Sequence, residues 1–411
     1  MSPLSRRQAL SILAASPALY AAADGKLPPV RAITKGPKFH WFAYYDKLQF
    51  DPTSRYALGN EVDFEHRSPT PEDTIRVGVI DTEDGDRWTE LGVTKAWNWQ
   101  QGCMLQWLPG SKEEVIWNDR QDGQFVSVVC NVKSGKKRVI PAPVYALSAD
   151  GRWAVYPDFR RLNDCRPGYG YCGLPDPNFS QPTPNDAGIW KVDLKTGKSS
   201  LIVSLLEASK VPNPFNDTTG AKHWFNHLLV NPDSSRFIFL HRWRGKKEGN
   251  SFGTRMFTAD ENGKKLYVLD PYGRTSHFIW RDPQHVLAWA GHPSYKEDKF
   301  FLYKDQTDKV EAIGPDVMTR NGHCTYLPGN KWILNDTYPD KDRLQHPYLY
   351  EVSTGKRIPL GHFLTPKEYT GEWRCDTHPR FSPNGKKVTV DSPHGGNGRQ
   401  IYLIDISGIV S

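Results

Sequence analysis

One pattern recurs seven times along this chain: an apolar or aromatic strand, a tight turn of the Pro-Asp/Asn-Gly kind, then a second strand. The copies lie at residues 48–58, 104–110, 145–155, 228–239, 278–287, 324–334 and 379–388. Proline presets φ in such turns and Gly or Asn accepts a positive φ, so each copy reads as a hairpin. A further hairpin of the form strand, Asp-x-x-x-Gly, strand follows several of them, at 79–85, 129–135, 190–197 and 349–355. Two hairpins per unit make a four-stranded antiparallel sheet, and seven such units around an axis make a propeller. The expectation is an all-β, seven-bladed β-propeller forming a single domain over residues 24–411. The last unit has no evident fourth strand of its own. Residues 29–34 can supply it and close the ring, which removes the exposed edges of an open sheet.

Residues 1–23 read as a targeting segment rather than part of the ring. Ser5-Arg6-Arg7-Gln8-Ala9-Leu10 is a twin-arginine pattern, an apolar stretch follows, and Ala21-Ala22-Ala23 offers small residues to a signal peptidase. The expected location is therefore exported, periplasmic or secreted, without a membrane anchor after cleavage. Loss of Arg6 and Arg7 lowers the formal net charge from +7 to +5. No Lys/Arg block of the kind that tracks nucleic acid is present. A monomer is expected. Cys165 and Cys172 flank a Gly/Pro/Tyr loop and are candidates for a disulfide in an oxidising compartment. No P-loop, dinucleotide fingerprint or Gly-x-Ser-x-Gly occurs in a suitable setting, and the Gly-rich run after His394 reads as a turn.

Three insertions, at 160–188, 206–222 and 242–254, interrupt the repeat, the second with room for one short helix. Loops on one face of a rigid ring are where function concentrates. Three groups of residues stand out. The first is Tyr145 with Asp158, Arg160 and Arg161, to which Arg166 and the Tyr169/Tyr171 loop add a cation and sugar-stacking aromatics. The second is His223 and His227, close in sequence to His241, Arg242 and Arg244. A histidine near its ordinary pKa is the best general base at neutral pH. The third is His277, His323 and His378, each opening the first strand of its blade and so facing the central channel. With Cys375 they form a mixed N/S set suited to a Zn²⁺ ion, with Asp376 or Cys324 as substitutes. Four protein ligands leave no open position, so that ion is expected to be structural.

The segment from Val144 through Tyr145 to Arg161 resembles the third blade of propeller-fold polysaccharide lyases, the ulvan and rhamnose–glucuronate lyases. The segment His378-Pro-Arg-Phe-Ser-Pro-Asn-Gly resembles the metal-binding blade of oligogalacturonate lyases. The resemblance implies an enzyme that cleaves uronic-acid glycans by β-elimination, with an acidic polysaccharide or oligosaccharide as its partner. It casts Tyr145 in proton transfer and Arg161 as the group that neutralises the uronate carboxylate. Those families also carry two histidines on the preceding blade, where this chain has Gln101, Asn118 and Arg120. These can orient a sugar but cannot take a proton, so the base falls to Tyr145, His223 or His227. Two other readings use the same scaffold. A glycoside hydrolase needs two carboxylates across the channel, with Glu61, Asp63, Glu65, Asp119 and Asp158 as candidates. A non-catalytic glycan-binding propeller needs neither.

Overall fold

The computed structural model describes residues 27–42, 44–245 and 251–410, so the targeting segment lies outside the described residues. The chain forms seven four-stranded antiparallel sheets. Blade one holds Phe39–Trp41, Tyr56–Val62, Ile75–Asp81 and Arg87–Thr94; blade two holds Gln106–Trp107, Glu114–Gln121, Gln124–Asn131 and Lys137–Ile140. Blade three comprises Ala146–Leu147, Trp153–Pro157, Gly188–Asp193 and Ser199–Ser204; blade four comprises Lys222–Val230, Arg236–Arg244, Gly253–Asp260 and Tyr267–Asp270. Phe278–Asp282, His285–Ala290, Lys299–Lys304 and Val310–Ala312 make blade five; Thr325–Tyr326, Trp332–Asn335, Tyr348–Glu351 and Arg357–Pro359 make blade six. With a seventh sheet they form the expected seven-bladed β-propeller.

The turns work as the residues dictate. A left-handed residue sits in the first hairpin of six blades: Ser54, Gly110, Gly151, Ser234, Asn330 and Gly385, all with φ between 57° and 81°. Short polar side chains then tie the turn shut. Asp51 accepts from the backbone N–H groups of Thr53, Arg55 and Tyr56, and Asp193 does the same for Lys195 and Thr196.

Blade seven is completed from the other end of the chain. Arg380–Phe381, Lys387–Ser392 and Gln400–Asp405 are its inner strands, and Val30–Ala32 is its fourth. The register pairs Val30 with Ile404 and Ala32 with Tyr402. Thr34 and Ile33 extend the seam: Ile401 N–H donates to Thr34 Oγ1 at 2.9 Å, and Ile33 N–H donates to the Ile401 carbonyl at 2.9 Å. Ile33 itself is buried.

Apolar side chains of neighbouring blades pack into shared cores, as in the cluster joining Trp41, Trp97, Trp99 and Trp117 to Ile401 and Leu403. The insertion at 206–222 begins with the helix Leu205–Lys210, capped by Ser204 and Glu207 in a reciprocal capping box. The insertion at 160–188 opens with a helix as well, Phe159–Cys165, which Asp158 caps. No helix among the described residues is long and apolar enough to cross a membrane. All six cysteines are free thiols, so Cys165 and Cys172 do not form the expected disulfide.

Candidate functional site

The blade-opening segments and the loops of one face converge on a dense polar cluster. On the blade-two side, the loop at 98–102 is pinned by Asn98, whose side-chain oxygen accepts from Gln100 N–H at 3.1 Å and Gln101 N–H at 2.8 Å. Gly102 follows with φ +57°, and a side chain there would run into Asn60 and the Phe42 carbonyl. This fixes Gln101, whose amide donates to the Tyr145 hydroxyl at 2.7 Å and lies 3.3 Å from His227 Nδ1. Tyr145 Oη is also 3.3 Å from His227 Nδ1.

His227 reaches this position through a β-bulge. The register of the first two strands of blade four slips between Asn226 and Leu228, and His227 has φ 50°. A bulge re-aims one side chain without disturbing its neighbours. The Tyr44 ring stacks on the His227 ring at 5.0 Å, and Tyr169 meets it edge-on at 5.4 Å. His223 has no such bulge. It lies back toward the second strand, with Nδ1 2.7 Å from His241 Nε2, and His241 accepts from Arg255. Burial pushes His223 down to about 4. His223 and His227 therefore occupy different environments, and His227 is the one beside Tyr145.

Two tyrosines in this cluster are driven in opposite directions. Burial, with Asp46 nearby, raises Tyr145 well above its ordinary value. Burial also acts on Tyr169, but Arg374 and Arg166 outweigh it and bring the phenol down to about 7. Arg374 donates to the Tyr169 hydroxyl at 2.7 Å, and the Arg166 guanidinium lies 4.5 Å from the ring centre. Burial and the Arg242, Arg166 and His277 charges hold His227 far below its usual range, so it is neutral at pH 7.

Arg242 is buried, with Nε and Nη1 lacking any partner. Burial and the neighbouring Arg166 lower it to about 9. A buried cation without an anion costs several kcal/mol, so Arg242, with half-buried Arg166 beside it, is suited to a negative ligand. Lys47 adds a third cation 4.6 Å from the Tyr145 ring centre, though Asp46 at 3.1 Å already pairs with it.

On the other side of the channel, His323, Asp376 and His378 bring ligand atoms within 4.8 Å of one another. His323 is oriented from behind: its Nδ1 is 3.0 Å from both oxygens of Asp336, and its own N–H donates to Asp336 at 2.7 Å. Gly322 permits this approach, since a Cβ there would sit 2.0 Å from the Asp336 carbonyl oxygen. That leaves Nε2 of His323, and Nε2 of His378, buried without partners. Two orphaned imidazole nitrogens within reach of a carboxylate oxygen, with a second carboxylate fixing one of the rings, fit a divalent cation.

The ligand set differs from the expected one. Asp376 takes the place of Cys375, whose thiol is raised by burial and has Arg399, Asp391 and Glu65 as its charged neighbours. His277 adjoins the set, its ring 4.2 Å from that of His323, but its Nδ1 engages Asn321 at 2.9 Å. Three ligands leave coordination positions open, so the argument for a purely structural ion falls. Two nitrogens and an oxygen also do not single out zinc.

Other expected site residues serve the scaffold. Arg161 is buried in the Phe159–Cys165 helix, and its guanidinium is fully engaged: Nε with the His223 carbonyl, Nη1 with Asp176 and the Asn178 carbonyl, Nη2 with the Gln181 and Pro182 carbonyls. Nothing remains for a substrate carboxylate. Asn118 is buried between Val144 and the Tyr171 hydroxyl. Tyr171 in turn stacks on Phe159 at 4.2 Å, leaving no face for a sugar. Arg120 braces the carbonyls of Cys172 and Pro71.

The carboxylates proposed for hydrolysis are likewise committed elsewhere: Glu61 to His40 and Arg76, Asp63 to Arg76, Glu65 to Arg399 and Tyr369, Asp119 to Thr94 and Lys95, Asp158 to Arg160. Sequence reasoning reached Tyr44 and Tyr45 only as general sugar-stacking aromatics and Arg374 only as a neighbour of Cys375, and it missed Lys47, Asp336 and Tyr338. The one available signal was Tyr44-Tyr45-Asp46-Lys47, an aromatic and charged run in a loop, which the ring buries.

No family model matches the sequence, and no curated protein matches it. Solved structures do share its fold. An oligogalacturonate lyase from Vibrio parahaemolyticus superposes with a TM-score of 0.66 at 15% identity, covering 92% of this chain and 93% of the other. An oligogalacturonate lyase in complex with manganese gives 0.66 at 14% identity, with the same coverage. The β-propeller domain of the Trilobed protease from Pyrococcus furiosus, described as having an open velcro topology, gives 0.51 at 9% identity over 89% of this chain and 96% of that one. At these identities the likeness is one of fold.

Proposed function

We propose that this protein is a lyase that cleaves uronic-acid glycans by β-elimination. The reading rests chiefly on one observation: a buried arginine, Arg242, with two unpartnered nitrogens and a half-buried Arg166 beside it, next to two tyrosines whose affinities for a proton have been pushed apart. Pairs of titratable groups separated in this way mark acid and base roles.

In the proposed reaction Arg242 and Arg166 hold the uronate carboxylate, which makes the C5 proton easier to remove. Tyr169, ionised near neutral pH, takes that proton. The electron pair forms the C4–C5 double bond as the C4–O bond breaks, and Tyr145, still protonated, gives its proton to the departing oxygen. His227, neutral and with Nδ1 3.3 Å from the Tyr145 hydroxyl, helps hold that hydroxyl, and exchange with solvent takes the proton from Tyr169 and restores the one on Tyr145 after turnover. Gln101 holds the Tyr145 hydroxyl in place. His323, Asp376 and His378 are the residues that would hold a divalent ion. Bound there, such an ion supplies fixed positive charge to the substrate's oxygens. Manganese and zinc are both admissible on this donor set; the manganese complex of a protein of the same fold favours testing manganese first.

Incubation with polygalacturonate, ulvan or other acidic glycans, followed by ultraviolet absorbance of the unsaturated uronate, tests this directly. Tyr145→Phe and Tyr169→Phe are each expected to lower kcat by about 10²-fold or more. New reducing ends without the absorbance would overturn elimination in favour of hydrolysis. Full activity in either variant would overturn the assigned roles.

A further inference from the structure

A second cavity, of about 320 Å³, opens in blade six, lined among others by Arg320, Thr337, Asp340, His346, Arg357 and His362. One lining residue joins it to the candidate site along the chain. Thr337 is the residue between Asp336, which orients His323, and Tyr338, whose ring lies 5.8 Å from that of His323. Consecutive Cα atoms are about 3.8 Å apart, so the cavity begins one residue outward from the buried cluster.

The chemistry of the lining is that of an anion site. Arg320 is exposed and makes no hydrogen bond or ion pair among the described residues. Arg357 rests its guanidinium on the face of Tyr348, 4.0 Å from the ring centre, which holds the group in place while leaving its N–H donors available. The only carboxylate of the lining is already engaged. Asp340 Oδ2 accepts from His346 Nε2 at 2.9 Å, which makes His346 Nδ1 the acceptor of a 2.7 Å bond from His362 Nδ1. Both imidazoles are thereby held in orientation, and the lining carries two guanidinium groups against one committed carboxylate. Thr319 and Thr337 add hydroxyl-bearing side chains to the wall, the mixture of charge and hydroxyl that a sugar acid meets well.

We infer that this blade-six cavity is a second uronate-binding subsite, taking the carboxylate of a sugar unit beyond the two that flank the cleaved bond. The inference rests on the lyase reading above and deepens it. A polyuronate carries a carboxylate on every unit, so the Arg242/Arg166 pair can neutralise only one of them, and a cationic cavity elsewhere accounts for another. The consequence is a preference for substrates longer than two units, located in binding rather than in chemistry.

The test is the double variant Arg320→Ala/Arg357→Ala, assayed on oligogalacturonates of two and of four units. KM for the four-unit substrate should rise about tenfold, with KM for the two-unit substrate and both kcat values unchanged. An equal effect on both lengths, or none on either, would overturn the subsite. Calorimetric titration of the four-unit oligomer into the unaltered protein and the double variant reads the cavity without turnover. A loss of affinity of about tenfold is expected, and equal affinity would refute the proposal. If the unaltered protein cleaves neither oligomer the lyase reading fails, while the calorimetry still decides the cavity.

Discussion

Arg161 and Arg242 are both buried, and their surroundings give them opposite work. Every donor of Arg161 is matched by a carbonyl or by Asp176, whereas two nitrogens of Arg242 point at nothing. Arg242→Ala should therefore leave folding nearly intact and cost about 10²-fold in kcat/KM, the usual penalty for deleting one partner of a desolvated charge pair. Tyr169 gives a second residue-level prediction. Its ionised form is the active one, so kcat/KM should fall as the pH drops through about 7, and Arg374→Gln should move that acid limb upward by removing the donor that stabilises the phenolate. The same ionisation bears on stability. The unfolded chain keeps the phenol proton up to its ordinary 10.0, so this contribution is complete above that value and is lost as the pH falls through about 7. A pH–rate profile and thermal melts across pH 6–10 check both; a flat acid limb would remove Tyr169 from the mechanism.

At the scale of single elements, the insertion after Trp153–Pro157 decided more than its sequence disclosed. Tyr145 and Arg161 have the spacing of neighbours on adjacent strands, but Asp158 caps a helix there, and the helix turns Arg161 into a clamp on the 176–182 loop. Arg161→Ala is expected to destabilise the fold by about 3–5 kcal/mol, as removal of one member of a buried pair does. In whatever folds, the pH profile of activity should be unchanged; loss of activity without loss of Tm would return Arg161 to the site.

Hairpins were legible because turn chemistry is local: Asn384-Gly385 or Asp150-Gly151 says the same thing wherever it stands. The identity of the site histidine was not legible, because it depends on a one-residue slip of register at Asn226 that composition does not mark. Asp376 and Cys375 were confused for a related reason, since neighbours along an extended segment face opposite sides. Arg166, Tyr169 and Gln101 could be anticipated as polar groups on face loops, and Arg242 as one near the end of a blade-four strand. Their mutual arrangement could not, since it joins blades two, three and four.

On the scale of the whole molecule, the ring is held by a seam of two short segments far apart in sequence. A chain beginning at residue 35 loses Val30–Ala32 and bares the edge of Gln400–Asp405. It should melt several degrees lower, aggregate on heating and be cut faster by proteases in blade seven, because an unpaired strand edge invites both pairing and opening. Identical melts for the two chains would mean that the cores between blades suffice without the seam. The channel cluster draws residues from blade after blade, so a loosened ring should also blunt catalysis, and activity measured below the melting range separates that effect from unfolding.

The seam also sets an order in time. During synthesis the segment at 30–32 emerges before blade one, and the strand it must pair with emerges only with blade seven. Until the last blade exists, every shorter chain carries two unmatched edges and an unfinished site. Completion of the ring thus acts as a length check. Only a chain translated through residue 405 can both bury its edges and assemble the arginines, tyrosines and histidines on which the chemistry depends.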